Sequence, residues 1–407
     1  MGMKVILDAD VIADFYKDNR TGIFRVTYEL FKSLSKRKDI GLFYSHLSFL
    51  NRETGTDELD AFFKDNDIEI RAVNKRFRRK FLPFRKEKLF KKFYKKIGIF
   101  NYKNVLIEDD LKTAQIFHST YYPIDKVVRN FPNLKKVVTV HDLIPILFPG
   151  FHFTSDLIKN IVSSIGEDGF VICVSENTKK DLLDFAPNIN AKKVFVSLLA
   201  ASPEKFYVCN DEDKFRNIRE KYSLPKKYLL SLATLEPRKN IDHVIRCFIK
   251  MITKYKVADL SLVLVGSKGW DYEKIFDEYE NASLFKDKVI ITGFVPDEDL
   301  ASLYSHANSF YYMSFYEGFG LPPLEAMQCG VPTVTSNTSS LPEVVADGGI
   351  MLKPKDEESL IKTMWGFYSD DGLRREYAEK ALDRSKHFSW DKVAEEHSDI
   401  YKKIIES

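Results

Sequence analysis

The chain has 407 residues, 44% of them hydrophobic, with 62 Lys plus Arg against 59 Asp plus Glu and a formal net charge of +3. That length calls for about two to three domains with cores of their own. The even charge argues against a dedicated nucleic-acid binder, and the 14% aromatic content against wholesale disorder. Four cysteines with no Cys-x-x-Cys spacing argue against a zinc knuckle or a disulfide framework. No apolar run approaches the roughly 18 residues of a membrane span, and Val5-Ile6-Leu7 ends at Asp8, too short for a leader. The expectation is a soluble, reduced, cytoplasmic protein.

In chain order, apolar runs predict strands at 4–8, 41–45, 68–73, 115–118, 136–140, 170–174 and 193–197, with helices at 23–36 and 176–185. Ser202-Pro203 and the polar run Asn210-Asp211-Glu212-Asp213 break the rhythm, which places a domain boundary between residues 203 and 204. Beyond it the alternation is cleaner. Strands are predicted at 228–233, 260–265, 288–292, 309–313, 331–335 and 349–352, and helices at 241–255, 272–284, 297–307, 322–329 and 356–368. Strands apolar on successive residues are buried on both faces, so both halves read as doubly wound, Rossmann-like α/β sheets: 1–203 and 204–386. Within residues 387–407, Val393, Ile400, Tyr401 and Ile404 fit one face of a helix able to pack back on the first domain. In such folds ligands sit in the crevice at the carboxyl ends of the strands.

Four strand ends carry chemistry. Glu317-Gly318-Phe319-Gly320-Leu321-Pro322-Pro323 follows the strand at 309–313. Its prolines suit the first turn of a helix, and its glycines would let the backbone approach a ligand at an anion-favouring helix start. Glu317 and Glu325 face that site, either hydrogen-bonding sugar hydroxyls or serving as a capping and a solvated Glu. Arg238 and Lys239 end another strand and could neutralise a diphosphate or sit in an exposed charged loop. His141, beside Asp142, is open between a structural hydrogen bond and ligand contact, and His118 between packing and an acceptor pocket. Thr21-Gly22-Ile23-Phe24-Arg25 precedes the first long helix and would open toward phosphate or acceptor, with Gly22 offering backbone contact. Asp8-Ala9-Asp10 has the look of a metal-binding Asp-x-Asp but lacks a second acidic pair nearby, so it reads as loop chemistry.

These residues resemble a known family. Glu317 and Glu325, with seven residues between them, are similar to the paired glutamates of retaining nucleotide-sugar glycosyltransferases of the GT-B fold, glycosyltransferase family 4. The match continues through Ile291-Thr292-Gly293-Phe294-Val295-Pro296, Gly330-Val331-Pro332-Thr333-Val334 and Ser339-Ser340-Leu341-Pro342-Glu343-Val344. The resemblance implies that Glu325 holds the nucleotide ribose and Glu317 lies beside the transferred sugar, with His141 contacting that sugar. It implies donor binding by Gly22, Val295, Gly318, Phe319, Gly320, Leu321 and Glu325, and diphosphate binding by Arg238 and Lys239. Many members carry an Arg five residues before the Lys; here that position is Thr234, and Arg238 takes over the role. His118 and Arg25 fall on the acceptor side. No metal and no cofactor are expected beyond the nucleotide diphosphate sugar itself.

The implied function is metal-independent transfer of a hexose, with retention, to a glycan or lipid-linked acceptor in polysaccharide synthesis. The Glu-Pro-Arg-Lys-Asn and His-Asp-Leu-Ile-Pro forms are similar to polysaccharide mannosyltransferases and favour GDP-mannose over a UDP-sugar. A nucleotide-sugar epimerase of the same architecture and a non-catalytic polyanion-binding protein are the alternatives. The stretch 71–96, opening on Arg71 and closing on Lys96, carries thirteen Lys and Arg against the single acid Glu87, interleaved with six aromatic residues. It is either a solvated face or a contact with an anionic membrane. The second reading places the protein peripherally on the inner face of the membrane, with no nucleic-acid partner.

Overall fold

The computed structural model describes residues 2–16, 21–47, 56–78, 102–151, 155–281 and 283–407. The first half supplies β1 (Met3–Asp8), β2 (Ile40–Ser45), β3 (Arg71–Ala72), β4 (Asn74–Arg78), β5 (Tyr102–Leu106), β6 (Ile116–Ser119), β7 (Lys135–Val140), β8 (Phe170–Cys173) and β9 (Val194–Val196). Seven of these form a parallel sheet in the order β3-β2-β1-β6-β7-β8-β9, while β4 and β5 form a separate antiparallel pair. The second half supplies β10 (Tyr228–Leu232), β11 (Ser261–Val265), β12 (Val289–Gly293), β13 (Ser309–Tyr312), β14 (Thr333–Ser336) and β15 (Ile350–Leu352). They pair in parallel in the order β12-β11-β10-β13-β14-β15.

Both sheets reverse strand order beside their first strand, as doubly wound sheets do, and helices cover both faces. The pleat shows it at β1, where Val5 and Leu7 enter one apolar core and Ile6 the other, all fully buried. The helix Trp390–Glu406 returns to the first domain and packs on the helix Gly22–Ser35. It buries the expected Val393, Ile400, Tyr401 and Ile404. This is the GT-B arrangement.

Two expectations differ in detail. The strand expected at 68–73 shrinks to Arg71–Ala72, because Ile68 N–H bonds Phe63 O at 2.9 Å and closes the helix Thr56–Asp65 instead. The helix expected at 272–284 runs from Glu273 to Asn281 and gives way to the turn Ser283–Lys288. The antiparallel β4–β5 pair was not anticipated.

Candidate functional site

A cleft of about 450 Å³ lies where the carboxyl ends of the two sheets meet. Gly22, Arg25 and His141 line it from the first domain, and Lys239, Glu317 and Glu325 from the second. Among the other expected donor-binding residues, Val295, Gly318, Phe319, Gly320 and Leu321 line the same cleft, as does Arg238.

The loop after β13 delivers Glu317 into the interior, where its backbone N–H donates to Ser339 Oγ at 2.9 Å. Its carboxylate is gripped by two cations: Lys239 Nζ lies 2.6 Å from Oε1 and Arg238 Nη1 2.9 Å from Oε2. Tyr312, the last residue of β13, donates its hydroxyl to Oε1 at 2.9 Å and accepts from Lys239 Nζ at 2.7 Å. Burial alone would raise the Glu317 pKa, but the Arg238 and Lys239 charges outweigh it and hold the group down to about 2. Arg238 and Lys239 sit on a short turn, Pro237–Lys239, which Asn240 closes at φ +57° while donating its side-chain amide to Met313 O and Pro354 O.

The Arg238 guanidinium also donates to Glu236 Oε1 at 2.6 Å and to Tyr316 O at 2.7 Å. It is therefore an internal clamp, buried rather than a free loop cation. Lys239 spends two of its three N–H groups on Tyr312 and Glu317, which leaves one for a ligand. Tyr312 and Glu236 were missed from the sequence. The available signal was a polar tip at the end of an apolar strand and an acid two residues before Arg238.

Glu325, on the helix Leu321–Gln328, has a different shell. Arg25 crosses from the other domain to place Nη1 3.0 Å from Glu325 Oε1, and its Nη2 pairs with Asp297. Lys205 Nζ holds the second Asp297 oxygen at 3.0 Å, and Tyr304 donates its hydroxyl to Glu325 Oε2 at 3.2 Å. Burial raises the Glu325 pKa, with Arg25 pulling against it. Arg25, expected on the acceptor side, is thus engaged with Glu325, the carboxylate expected on the donor side.

His141 directly follows β7 and places Nε2 2.8 Å from Thr120 O. A carbonyl only accepts, so Nε2 carries the hydrogen and Nδ1 is the accepting nitrogen of a neutral ring. Burial depresses the His141 pKa against the pull of that carbonyl and of Asp142. The ring can therefore accept from a sugar hydroxyl.

The glycines divide by cause. A Cβ on Gly318 would come 2.1 Å from His141 O, so this glycine lets the two domains touch, and its freed space holds no ligand. Its carbonyl accepts from Ser175 Oγ at 2.7 Å and Thr178 Oγ1 at 3.1 Å across the same seam. Gly320 sits at φ +115°, the N-cap of the helix that begins Leu321-Pro322-Pro323. Gly22 needs neither reason: a Cβ there would meet only Leu321 Cδ1 at an ordinary 3.9 Å. The space it leaves opens on the cleft.

His118 lies away from the cleft. It is fully buried, with Nδ1 2.7 Å from the Tyr401 hydroxyl and Nε2 2.8 Å from Thr139 Oγ1, and burial holds its pKa well below the usual value. Of its two readings the geometry supports packing. Asp8 accepts the backbone N–H of Asp10 at 3.2 Å and opens the helix Asp10–Phe15. Among the described residues no group of three His, Cys, Asp or Glu side chains could hold a metal ion, and no helix is long and apolar enough to cross a membrane. Most of the basic stretch, residues 79–96, lies outside the described residues. Its first member, Arg71, is already paired with Asp110.

Two facing doubly wound domains with a cation-clamped Glu pair in the shared cleft define a glycosyltransferase-type architecture, and the relatives agree. The model of the family "Glycosyl transferases group 1" matches residues 213–384. The chain is 32% identical to O-antigen chain mannosyltransferase B of Escherichia coli, over 66% of this chain and 70% of that protein. It is 31% identical to the serotype-specific mannosyltransferase WbdA of Escherichia coli over 71% of this chain, spanning only 36% of that longer protein. The solved structure of Anabaena Alr3699/HepE in complex with UDP and glucose superposes with a TM-score of 0.70 at 14% identity, covering 98% of this chain and all of that one. The chain belongs to the group 1 family of glycosyl transferases.

Proposed function

We propose that the protein transfers a hexose from a nucleotide diphosphate sugar to a glycan or lipid-linked acceptor, with retention of configuration. The observation that carries this reading is the meeting of the Glu317–Lys239–Arg238 cluster with His141 and Gly22 in one cleft built from both domains. The donor lies mainly against residues 204–386 and the acceptor against residues 1–203. Glu325 takes the ribose hydroxyls. His141 Nδ1 and Glu317 accept from hydroxyls of the sugar. As the bond from the anomeric carbon to the phosphate oxygen breaks, charge develops on the diphosphate. The free N–H of Lys239, the backbone N–H groups at Gly22 and the start of the helix Leu321–Gln328 meet that charge. The acceptor hydroxyl attacks the same face of an oxocarbenium-like sugar and gives its proton to the departing phosphate oxygen.

GDP-mannose is the favoured donor. The relatives named as mannosyltransferases support this, together with the Glu-Pro-Arg-Lys-Asn and His-Asp-Leu-Ile-Pro forms. The site residues carry the reaction without a divalent metal, and the basic stretch 71–96 brings the protein to an anionic membrane surface where a lipid-linked acceptor resides. The test is release of nucleoside diphosphate from GDP-mannose and from UDP-sugars, with and without excess EDTA. Turnover that survives EDTA is expected. Loss in EDTA with recovery on manganese overturns metal independence, and no turnover or hydrolysis of any nucleotide sugar overturns the enzyme reading.

A further inference from the structure

Arg25 does something that its place in the sequence does not foretell. It stands in the first turn of the helix Gly22–Ser35, on the first domain, yet both ends of its fork are spent on carboxylates of the second domain. The guanidinium carbon lies 5.8 Å from the centroid of the Phe206 ring, which supports the plane from the segment joining the domains. Asp297 is steadied in turn by Lys205. Glu325 has two other neighbours of note: the Tyr304 hydroxyl on its second oxygen and the cleft that it lines.

We propose that Arg25 is a cross-domain positioning residue for Glu325, aiming that carboxylate at the nucleotide ribose only when the two domains are in register. The proposal rests on the reading that Glu325 takes ribose hydroxyls. A carboxylate oxygen accepts more than one hydrogen bond, so Arg25 can stay in place while Glu325 Oε1 receives a hydroxyl. The fork spans two acids at once, a task that fixes the carboxylate's direction as well as its charge; a lysine ammonium in its place supplies charge without that geometry. Nucleotide affinity then depends on a side chain of the domain opposite the one that carries the ribose-binding carboxylate, and donor recognition is complete only in the closed arrangement.

The alternative is an inter-domain tie that stabilises the fold and touches recognition not at all. The two are separated by titrating GDP, or UDP if GDP gives no signal, against its 2′,3′-dideoxy form by calorimetry. The unaltered chain should bind the dideoxy nucleotide at least about tenfold more weakly, the worth of a charge-assisted hydrogen bond. In Arg25→Ala and in Arg25→Lys that ratio should fall to about one or two, because a carboxylate no longer aimed gains little from the diol. Lys205→Ala, which removes the neighbouring ion pair to Asp297 inside the second domain without touching Glu325, should keep the full ratio, and melting curves confirm that each variant is folded. A wild-type ratio retained in both Arg25 variants overturns the proposal. Absence of any penalty in the unaltered chain, or of binding by either nucleotide, instead overturns the ribose reading on which it stands.

Discussion

The loop that carries Glu317 and the helix that carries Glu325 share one wall of the cleft, and both bury a carboxylate. Burial has opposite outcomes in the two places. Glu317 faces two cations of its own domain and is held ionised at about 2. Glu325 makes its ion pair with a cation lent by the other domain, and its pKa is raised by burial. The difference teaches that one acid's charge is fixed by its own domain, whereas the other's depends on how the domains sit.

The largest effect should come from the first region. Lys239→Ala removes a cation that pairs with Glu317 in the cleft and that the proposed mechanism sets against the donor's diphosphate. Turnover of the nucleotide sugar should fall about 10²–10³-fold, the usual worth of one such electrostatic contact. Steady-state rates that stay within a fewfold of the unaltered chain would break the comparison at its stronger end.

Acid titration comes next. The folded-state pKa of Glu317 lies below its ordinary value of 4.5, so its ionisation stabilises the fold fully above that pH and the gain is lost as pH falls toward 2. A shift of that size is worth on the order of 3 kcal/mol. Glu325 has the opposite sign: its ionisation costs stability, and the cost is relieved as pH falls through the raised value. In urea titrations at successively lower pH, the stability lead of the unaltered chain over Glu317→Gln should shrink. The corresponding difference for Glu325→Gln should move in favour of the unaltered chain.

Glu325→Ala should weaken binding of the nucleoside diphosphate by about tenfold or more, the range for a charge-assisted hydrogen bond. Glu317→Ala should leave that affinity nearly intact, since the proposed mechanism gives it the sugar and not the nucleotide as its partner. Calorimetric titration of both variants with one nucleotide decides the matter, and equal losses would erase the distinction between the two regions. The smallest effect lies outside the cleft. Tyr401→Phe leaves His118 Nδ1 without its partner and should cost about 1–3 kcal/mol of stability with turnover unchanged below the melting range.

Much of this architecture was legible in the sequence where packing and local pattern agree. The helix expected at 241–255 appears as Ile241–Tyr255, and β10 to β15 follow runs apolar on both faces. The first half reads less cleanly because its sheet ends on the two-residue β3, and because β4 of the separate pair, Asn74-Lys75-Arg76-Phe77-Arg78, lacks a run of apolar residues. Strand-end position brought His141, Lys239 and Glu317 to one cleft, and a helix start brought Gly22. It did not reveal side-chain partners. Arg25 meets a carboxylate 300 residues away, and His118 meets a hydroxyl 283 residues away. Those pairings exist only after the domains are placed, and no local period encodes them. The close approach of Gly318 to the backbone of His141 from the opposite domain was hidden for the same reason.

The returning helix Trp390–Glu406 carries a consequence for how the chain matures. It completes the first domain, yet it is synthesised after the entire second one. Tyr401 reaches His118, Ser398 donates to Asp39 and Ser197 donates to Glu396 across separations of 283, 359 and 199 residues. A domain that emerges first normally folds first. Here the first sheet leaves the ribosome with the buried His118 lacking its hydroxyl partner, and waits for the last segment to close over it. Loop closure over such spans is slow, so the late docking of this helix should set the pace of folding.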